Sequence, residues 1–449
     1  MPQAALRELL ALGNLAGEAD FAGADPVLRT PYRVATAGAA ALAAVGLAAA
    51  ELWQLRTGRR QQVAVDLRAA AAALKSGAYL RIDGKPPPAP WDPMSGFYPV
   101  RDGRWVSIHC NFAHHRAAAL EVLGTPEDRE KANAASRAWD GAALEDAIHV
   151  AGGCAGLARG AAEWALHPHA AAVAGQPLLE ILRIADAPPQ PLPAGKRPLA
   201  GIRVLDLTRV LAGPTCARTL AEHGADVLKI TAQHLPDSGA IELDTGLGKL
   251  AAFLDLRSAE GTATLRRLLQ DTDVFSQSYR PGALAARGFS PQEAARLRPG
   301  IIYASLNAWG QTGPWKDRRG FDSIVQTVSG MAMAQGDGGT PKLLPCSAID
   351  YVSGYLMAYG VMLALARRAR EGGSWLVRVA LARTGKWIVD RGTVDPAAPH
   401  AEIPGGLTTE TDSPAGRIAH LKPVLEMSET PPRWDRPPVP LGHHRPEWP

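Results

Sequence analysis

Cysteine is scarce in this chain. Cys110, Cys154, Cys216 and Cys346 are its four cysteines in 449 residues, widely scattered and without CxxC spacing, which argues against a zinc site and against a disulfide framework. They read as reduced core thiols. An excess of one charge is missing too: the net charge is +4, acidic and basic residues are interspersed, and no Lys/Arg run or basic-aromatic interleaving occurs, so nucleic acid is not an expected partner. A mild positive excess still suits an anionic small molecule carrying phosphates. Apolar runs of membrane length are also lacking. The nearest, Ala37 to Ala50, is about 14 residues of mostly alanine against the ~20 that a bilayer span needs, so it reads as a core helix and no membrane partner is expected. The N-terminus carries Glu8 and has no basic stretch ahead of an apolar block, so a secretory signal is not expected and a cytoplasmic location is.

What is present is the composition of a soluble globular protein, 46% hydrophobic and 20% charged, with 45 Gly and 37 Pro implying many turns. The length suggests two or three domains. Residues 91–184 form a small α/β unit in this reading, opened by a hairpin around Asp102-Gly103 and helical over most of 114–183. His114 with His115, and His167 with His169, read as surface polar residues rather than a metal site, since adjacent histidines point to different sides of a regular element. Residues 185–197 are a proline-rich linker. Residues 198–390 alternate strands and helices, from Gly201–Leu207 and Asp226–Ile230 through Ala252–Leu256 and Ile301–Leu306, which specifies a Rossmann-like, doubly wound parallel sheet. Residues 391–449 are a C-terminal segment. The fold class is therefore α/β, with a Rossmann-like sheet and a smaller α/β domain.

The dinucleotide fingerprint GxGxxG is absent, because the first turn reads Val210-Leu211-Ala212-Gly213-Pro214. A phosphate anchor has to be built otherwise. Lys249, Arg280 and Arg287 each stand beside glycine at a strand or helix end, where backbone N–H groups can assist an anion.

Residues 1–90 hold a partial internal repeat. Leu42, Gly46, Arg56, Gly58, Val63 and Leu67 fall on Leu356, Gly360, Arg370, Gly372, Val377 and Leu381 at one constant offset without a gap. At that offset Thr36 falls on Asp350, so one copy alone carries a carboxylate at the mouth of its apolar helix. Taken alone, Asp350 reads as a helix cap or first-turn residue. Thr36 shows that a hydroxyl would cap as well.

Several motifs together resemble the class III coenzyme A transferases, a family that also includes α-methylacyl-CoA racemase. They are Pro198 through Pro214, Gly224 through Ile230, Tyr279-Arg-Pro-Gly-Ala-Leu284, Gly310-Gln-Thr-Gly-Pro314, Arg319-Gly-Phe-Asp322 and Ser347-Ala-Ile-Asp350. The order is altered: residues 25–80 look like the segment around and after the catalytic aspartate, residues 91–183 like the family's small domain and residues 405–445 like its returning C-terminal segment. The resemblance implies that Asp350 is the catalytic nucleophile, attacking an acyl-CoA thioester to give an aspartyl anhydride and then an aspartyl-CoA thioester that an acceptor carboxylate resolves. It implies CoA contacts at Val210 and Ala212 in the first turn, with Lys249, Arg280 and Arg287 on the phosphates. Coenzyme A is then a substrate, no cofactor is permanently bound, and the partners are an acyl-CoA and a small carboxylic acid. Family chains interlock, so a homodimer is expected, covering the Ala37–Ala50 helix, with the small domain completing the site above Asp350. An acyl-CoA racemase and a non-catalytic CoA-binding protein are the rival readings. The racemase needs a histidine where this chain has Phe321.

Overall fold

The computed structural model describes residues 1–395 and 397–449. Seven strands make the main sheet, in the spatial order Lys249–Phe253, Asp226–Thr231, Arg203–Leu207, Val274–Gln277, Ile302–Asn307, Ser374–Ala380 and Glu180–Ala185. The first six are parallel, and Glu180–Ala185 is an antiparallel edge. Numbered along the chain from Arg203, the parallel strands run 3-2-1-4-5-6, the doubly wound order, whose crevice opens where strands 1 and 4 diverge. The segment read as helical up to residue 183 therefore ends in a strand of this sheet, ahead of the prolines.

Two long helices form the middle of the molecule. Val34–Thr57 and Ala348–Glu371 have equal length and pack against each other. Alanine, leucine and methionine favour the helical backbone, and a glycine at positive φ ends both, with Gly58 N–H donating to the Gln54 carbonyl and Gly372 N–H to that of Arg368. Each helix runs on into a strand, Val63–Asp66 in one copy and the last residues of Ser374–Ala380 in the other. The repeat seen in the sequence is thus a repeat in space. Residues 34–49 and 348–366 are buried without interruption, because each helix is enclosed by the other and by its neighbours. The Ala37–Ala50 helix needs no second chain to cover it, and the argument for a dimer from that helix falls.

The C-terminal segment returns to the first copy: Leu425–Met427 pairs antiparallel with Val63–Asp66, which pairs in parallel with Asp20–Ala22. A small antiparallel sheet of Gly96–Pro99, Trp105–Ile108 and Ala155–Leu157, turned by Gly103 at φ 75°, has a hydrophobic core of its own that includes Tyr98, Val106, Ile108, Leu123 and Leu157. All four cysteines are free and buried.

Candidate active site

A cleft of about 310 Å³ opens at the crevice, between the turn after Arg203–Leu207, the loop after Val274–Gln277, the start of the Ala348–Glu371 helix and the small sheet's helix Ala113–Leu123. Close packing sets its geometry. Gly354 lies where a Cβ would stand 2.5 Å from the Ala212 carbonyl oxygen and 2.7 Å from Thr215 Cβ, so glycine lets the Ala348–Glu371 helix cross the Ala212–Glu222 helix at backbone contact. That crossing brings Asp350 to the Val210–Gly213 turn. The turn itself is strained: Val210 has φ 69°, a region β-branched residues rarely enter. Gly213 leaves no room for a side chain, with a Cβ falling 2.4 Å from Thr208 Cβ.

Asp350 sits in the first turn of its helix, 7% exposed on the cleft wall. Its carboxylate accepts no hydrogen bond among the described residues, and no side chain of its own helix caps it. The capping group comes from elsewhere: Asp322 Oδ2 accepts the Asp350 N–H at 3.0 Å. Gln326 holds Asp322 in place, donating its amide to Oδ1 while its own oxygen takes the Leu344 N–H at 2.8 Å. The other copy repeats the device, Asp25 accepting the N–H groups of Ala35 at 3.3 Å and Thr36 at 2.8 Å. Since a distant aspartate does the capping in both copies, Asp350 is left over from that task. Backbone donors at this helix start are correspondingly taken, which removes the Asp350 N–H as an oxyanion donor.

Burial raises the Asp350 carboxyl well above the usual range, and the nearby Asp322 charge raises it further. Asp322 is itself pushed up to about 6 by burial, against the hydrogen bonds it accepts.

Of the residues expected from sequence, Asp350, Val210, Ala212 and Arg280 meet in this cleft. Lys249 does not. Its ammonium is buried beneath the turn, 2.9 Å from Asp206 Oδ2 and 2.9 Å from the Pro214 carbonyl, because the strand it opens points it inward and Asp206 supplies the partner a buried charge requires. It holds the turn rather than a phosphate. Arg287 lines an adjoining cavity of about 110 Å³ that shares Tyr279 and Ala283 with the cleft, and donates to the Leu256 carbonyl at 2.7 Å.

Of the histidines read as surface residues, His114 is exposed and His167 half-buried, whereas His115 and His169 are buried. His114 and His115 line the cleft. His109 is buried and stacks on Phe321 with ring centroids 3.8 Å apart and planes at 6°. His169 is fully buried, its Nε2 donating to the Trp309 carbonyl at 3.1 Å and its Nδ1 accepting the Trp315 N–H at 3.2 Å. Burial, helped by neighbouring imidazoles and by Arg319, pushes His115 down to about 3. Arg209, Lys316, Arg318 and Arg319 also face the cleft. Sequence reasoning passed over them; Arg319 and Asp322 lay within a quoted motif without a role.

The chain matches the model of CoA-transferase family III over residues 10–190 and 199–406. It is 38% identical over 204 residues to an acetyl-coenzyme A transferase of Hypoxylon pulicicidum, a match taking in 43% of this chain and 34% of that relative, so the chain spans about a third of the relative's length. An acyl-CoA transferase of Gibberella moniliformis is 26% identical over 510 residues, covering 95% of this chain and 90% of its own. Among solved structures, a hypothetical protein of Mycobacterium tuberculosis is 30% identical over 44% of this chain and 59% of that one, with a TM-score of 0.41. With the family's model covering all but residues 1–9, 191–198 and 407–449, the chain belongs to CoA-transferase family III.

Proposed function

We propose that this protein transfers coenzyme A from an acyl-CoA thioester to an acceptor carboxylate, with Asp350 as the nucleophile. The observation that carries the reading is the carboxylate of Asp350, buried on the cleft wall and relieved of capping by Asp322. An Asp350 oxygen attacks the thioester carbonyl, the C–S bond breaks and CoA leaves as thiolate, giving an aspartyl-acyl anhydride. The thiolate then attacks the Asp350 carbonyl carbon and the donor acid departs, leaving an aspartyl-CoA thioester. The acceptor carboxylate attacks that thioester, releasing thiolate and forming a second anhydride. Attack of the thiolate on the acceptor's carbonyl gives the new acyl-CoA and regenerates Asp350. A desolvated carboxylate is the better nucleophile for this, provided that it is ionised.

In this reading Arg280, at the crevice beside Ser278 and Tyr279, receives CoA phosphates, and Arg287 serves the adjoining cavity at the strand ends. Such contacts are screened by salt. The small domain's Phe112, His114 and His115 line the cleft together with Asp350 of the same chain, and a homodimer is compatible with the mechanism. A second reading rests on His114 and His115: imidazoles beside a carboxylate in one cleft suit exchange of an acyl-CoA α-proton, as in a racemase.

One assay separates the two. Succinyl, formyl, malonyl and branched aliphatic CoA thioesters are incubated with enzyme and hydroxylamine, and the peptide spanning Ser347 to Tyr355 is examined by mass spectrometry. Transfer converts Asp350 to a hydroxamate, and Asp350→Asn abolishes both the label and CoA exchange, a loss on the order of 10³-fold or more. Solvent exchange of the α-proton without a label favours the racemase, and full transfer by Asp350→Asn refutes the mechanism.

A further inference from the structure

The cleft holds more positive charge than its CoA-facing side uses. Arg209 is spoken for by the Pro236 carbonyl and Arg318 by Asp146, while Arg280, on the cleft wall, is the residue that the CoA-transfer reading gives to the phosphates. Arg319 is different. Among the described residues its side chain makes no ion pair and no hydrogen bond, and the charged neighbour that acts on it is another cation, Arg280, rather than any carboxylate. Its guanidinium lies toward the small sheet, 3.9 Å from where a Gly152 side chain would begin. A half-buried guanidinium without an anion is costly unless something brings one. On the same side lies a second unmet demand: His115 is 4% exposed, lines the cleft, and its Nδ1 has no hydrogen-bond partner. Phe112 and Phe321 fill the wall around it.

We infer that this wall receives the far carboxylate of a dicarboxylic acyl group, with Arg319 meeting its charge and His115 completing its hydrogen bonds. The inference rests on the CoA-transfer reading and adds a substrate class to it. Arg319 is next but one to Phe321 and three residues before Asp322, which holds the Asp350 backbone, so the anion site and the nucleophile are fixed by one short segment. Burial and the Arg319 charge keep His114 and His115 neutral, which leaves each imidazole one N–H to donate, so that on this wall the positive charge comes from the guanidinium and not from the imidazoles.

The test is calorimetric titration of the full chain carrying Asp350→Asn, so that thioesters are not consumed, with free CoA, butyryl-CoA and succinyl-CoA. Butyryl-CoA has the length of succinyl-CoA without its carboxylate. Succinyl-CoA should bind about tenfold or more tightly than butyryl-CoA, as one charge-assisted contact allows. Adding Arg319→Gln should erase that preference while leaving free CoA and butyryl-CoA within about twofold, and Arg319→Lys, which keeps charge but loses the fork, should retain part of it. Equal binding of the two thioesters, or a preference that survives Arg319→Gln, overturns the inference. Weaker binding of free CoA in Arg319→Gln also overturns it, by assigning the residue to phosphates. If free CoA fails to bind the parent protein, the CoA reading itself fails, a result distinct from CoA binding without acyl discrimination.

Discussion

Asp322 and Asp350 are two carboxyl groups close enough to contest one negative charge. Each has its native pKa raised, Asp322 to about 6 and Asp350 well above the usual range, burial being the first cause for both. A group shifted this way stabilises the fold while protonated, fully below its unfolded value of about 4, and the contribution disappears as pH rises through the native value. Asp350→Asn should therefore raise the melting temperature by a few degrees at about pH 8 and by less at about pH 5, read by differential scanning calorimetry. In the proposed mechanism catalysis runs the other way, because Asp350 has to be ionised to act as nucleophile. Asp322→Asn keeps an oxygen for the Asp350 N–H but removes the charge that raises Asp350, so the acid limb of kcat/KM against pH should move to lower pH. Asp322→Ala loses the cap as well and should cost about 1 kcal/mol of stability. An acid limb that stays in place in Asp322→Asn would show that the two carboxyls do not interact.

At the level of elements, the Ala348–Glu371 helix works as a ruler, and Gly354 sets its zero. Alanine there would gain up to about 1 kcal/mol in helix propensity. Against that, its Cβ would enter the space of the Ala212 carbonyl at 2.5 Å, and overpacking of this kind costs about 1–3 kcal/mol. Gly354→Ala should therefore lower stability by urea titration, and it should lower kcat/KM further than stability alone accounts for, since Asp350 moves with the helix. The matching position in the first copy is Ala40, where a methyl group is accommodated in a fully buried place. The alternation of strands and helices, the parallel sheet and the repeat were legible in the sequence, since period and offset are local properties of the chain. Other parts of the site were not. Lys249 beside glycine has the local signature of a phosphate anchor, and only the arrival of Asp206, at 2.9 Å from across the sheet, makes it structural. His114 and His115 become cleft residues through the docking of the small sheet over the crevice, a contact that no spacing in the chain records. Asp322 acts as a cap from 28 residues upstream, outside the range in which caps are recognised.

Across the whole molecule, the first copy is tied to the Rossmann-like part by a buried polar cluster. Arg218 pairs with Asp244 at 2.8 Å, and Ser76 donates to Asp244 at 2.7 Å while lying 2.9 Å from the Tyr351 hydroxyl. Asp244→Ala leaves a buried guanidinium uncompensated and should cost about 3–5 kcal/mol, detectable as a lowered midpoint in chemical denaturation. Binding of CoA should weaken as ionic strength rises, and Arg280→Ala should flatten that dependence in the same titration, whereas Lys249→Ala should lower stability by leaving Asp206 unpaired. The duplicated cap has a numerical consequence. Two helices share a length, a terminator and an aspartate that holds their first turn, yet Thr36 stands where its counterpart carries a carboxylate. The molecule is thus a pair in architecture with one carboxylate at that position, and if Asp350 is the proposed nucleophile hydroxylamine trapping should saturate at one equivalent per chain, the first copy acting as a built-in blank for the second.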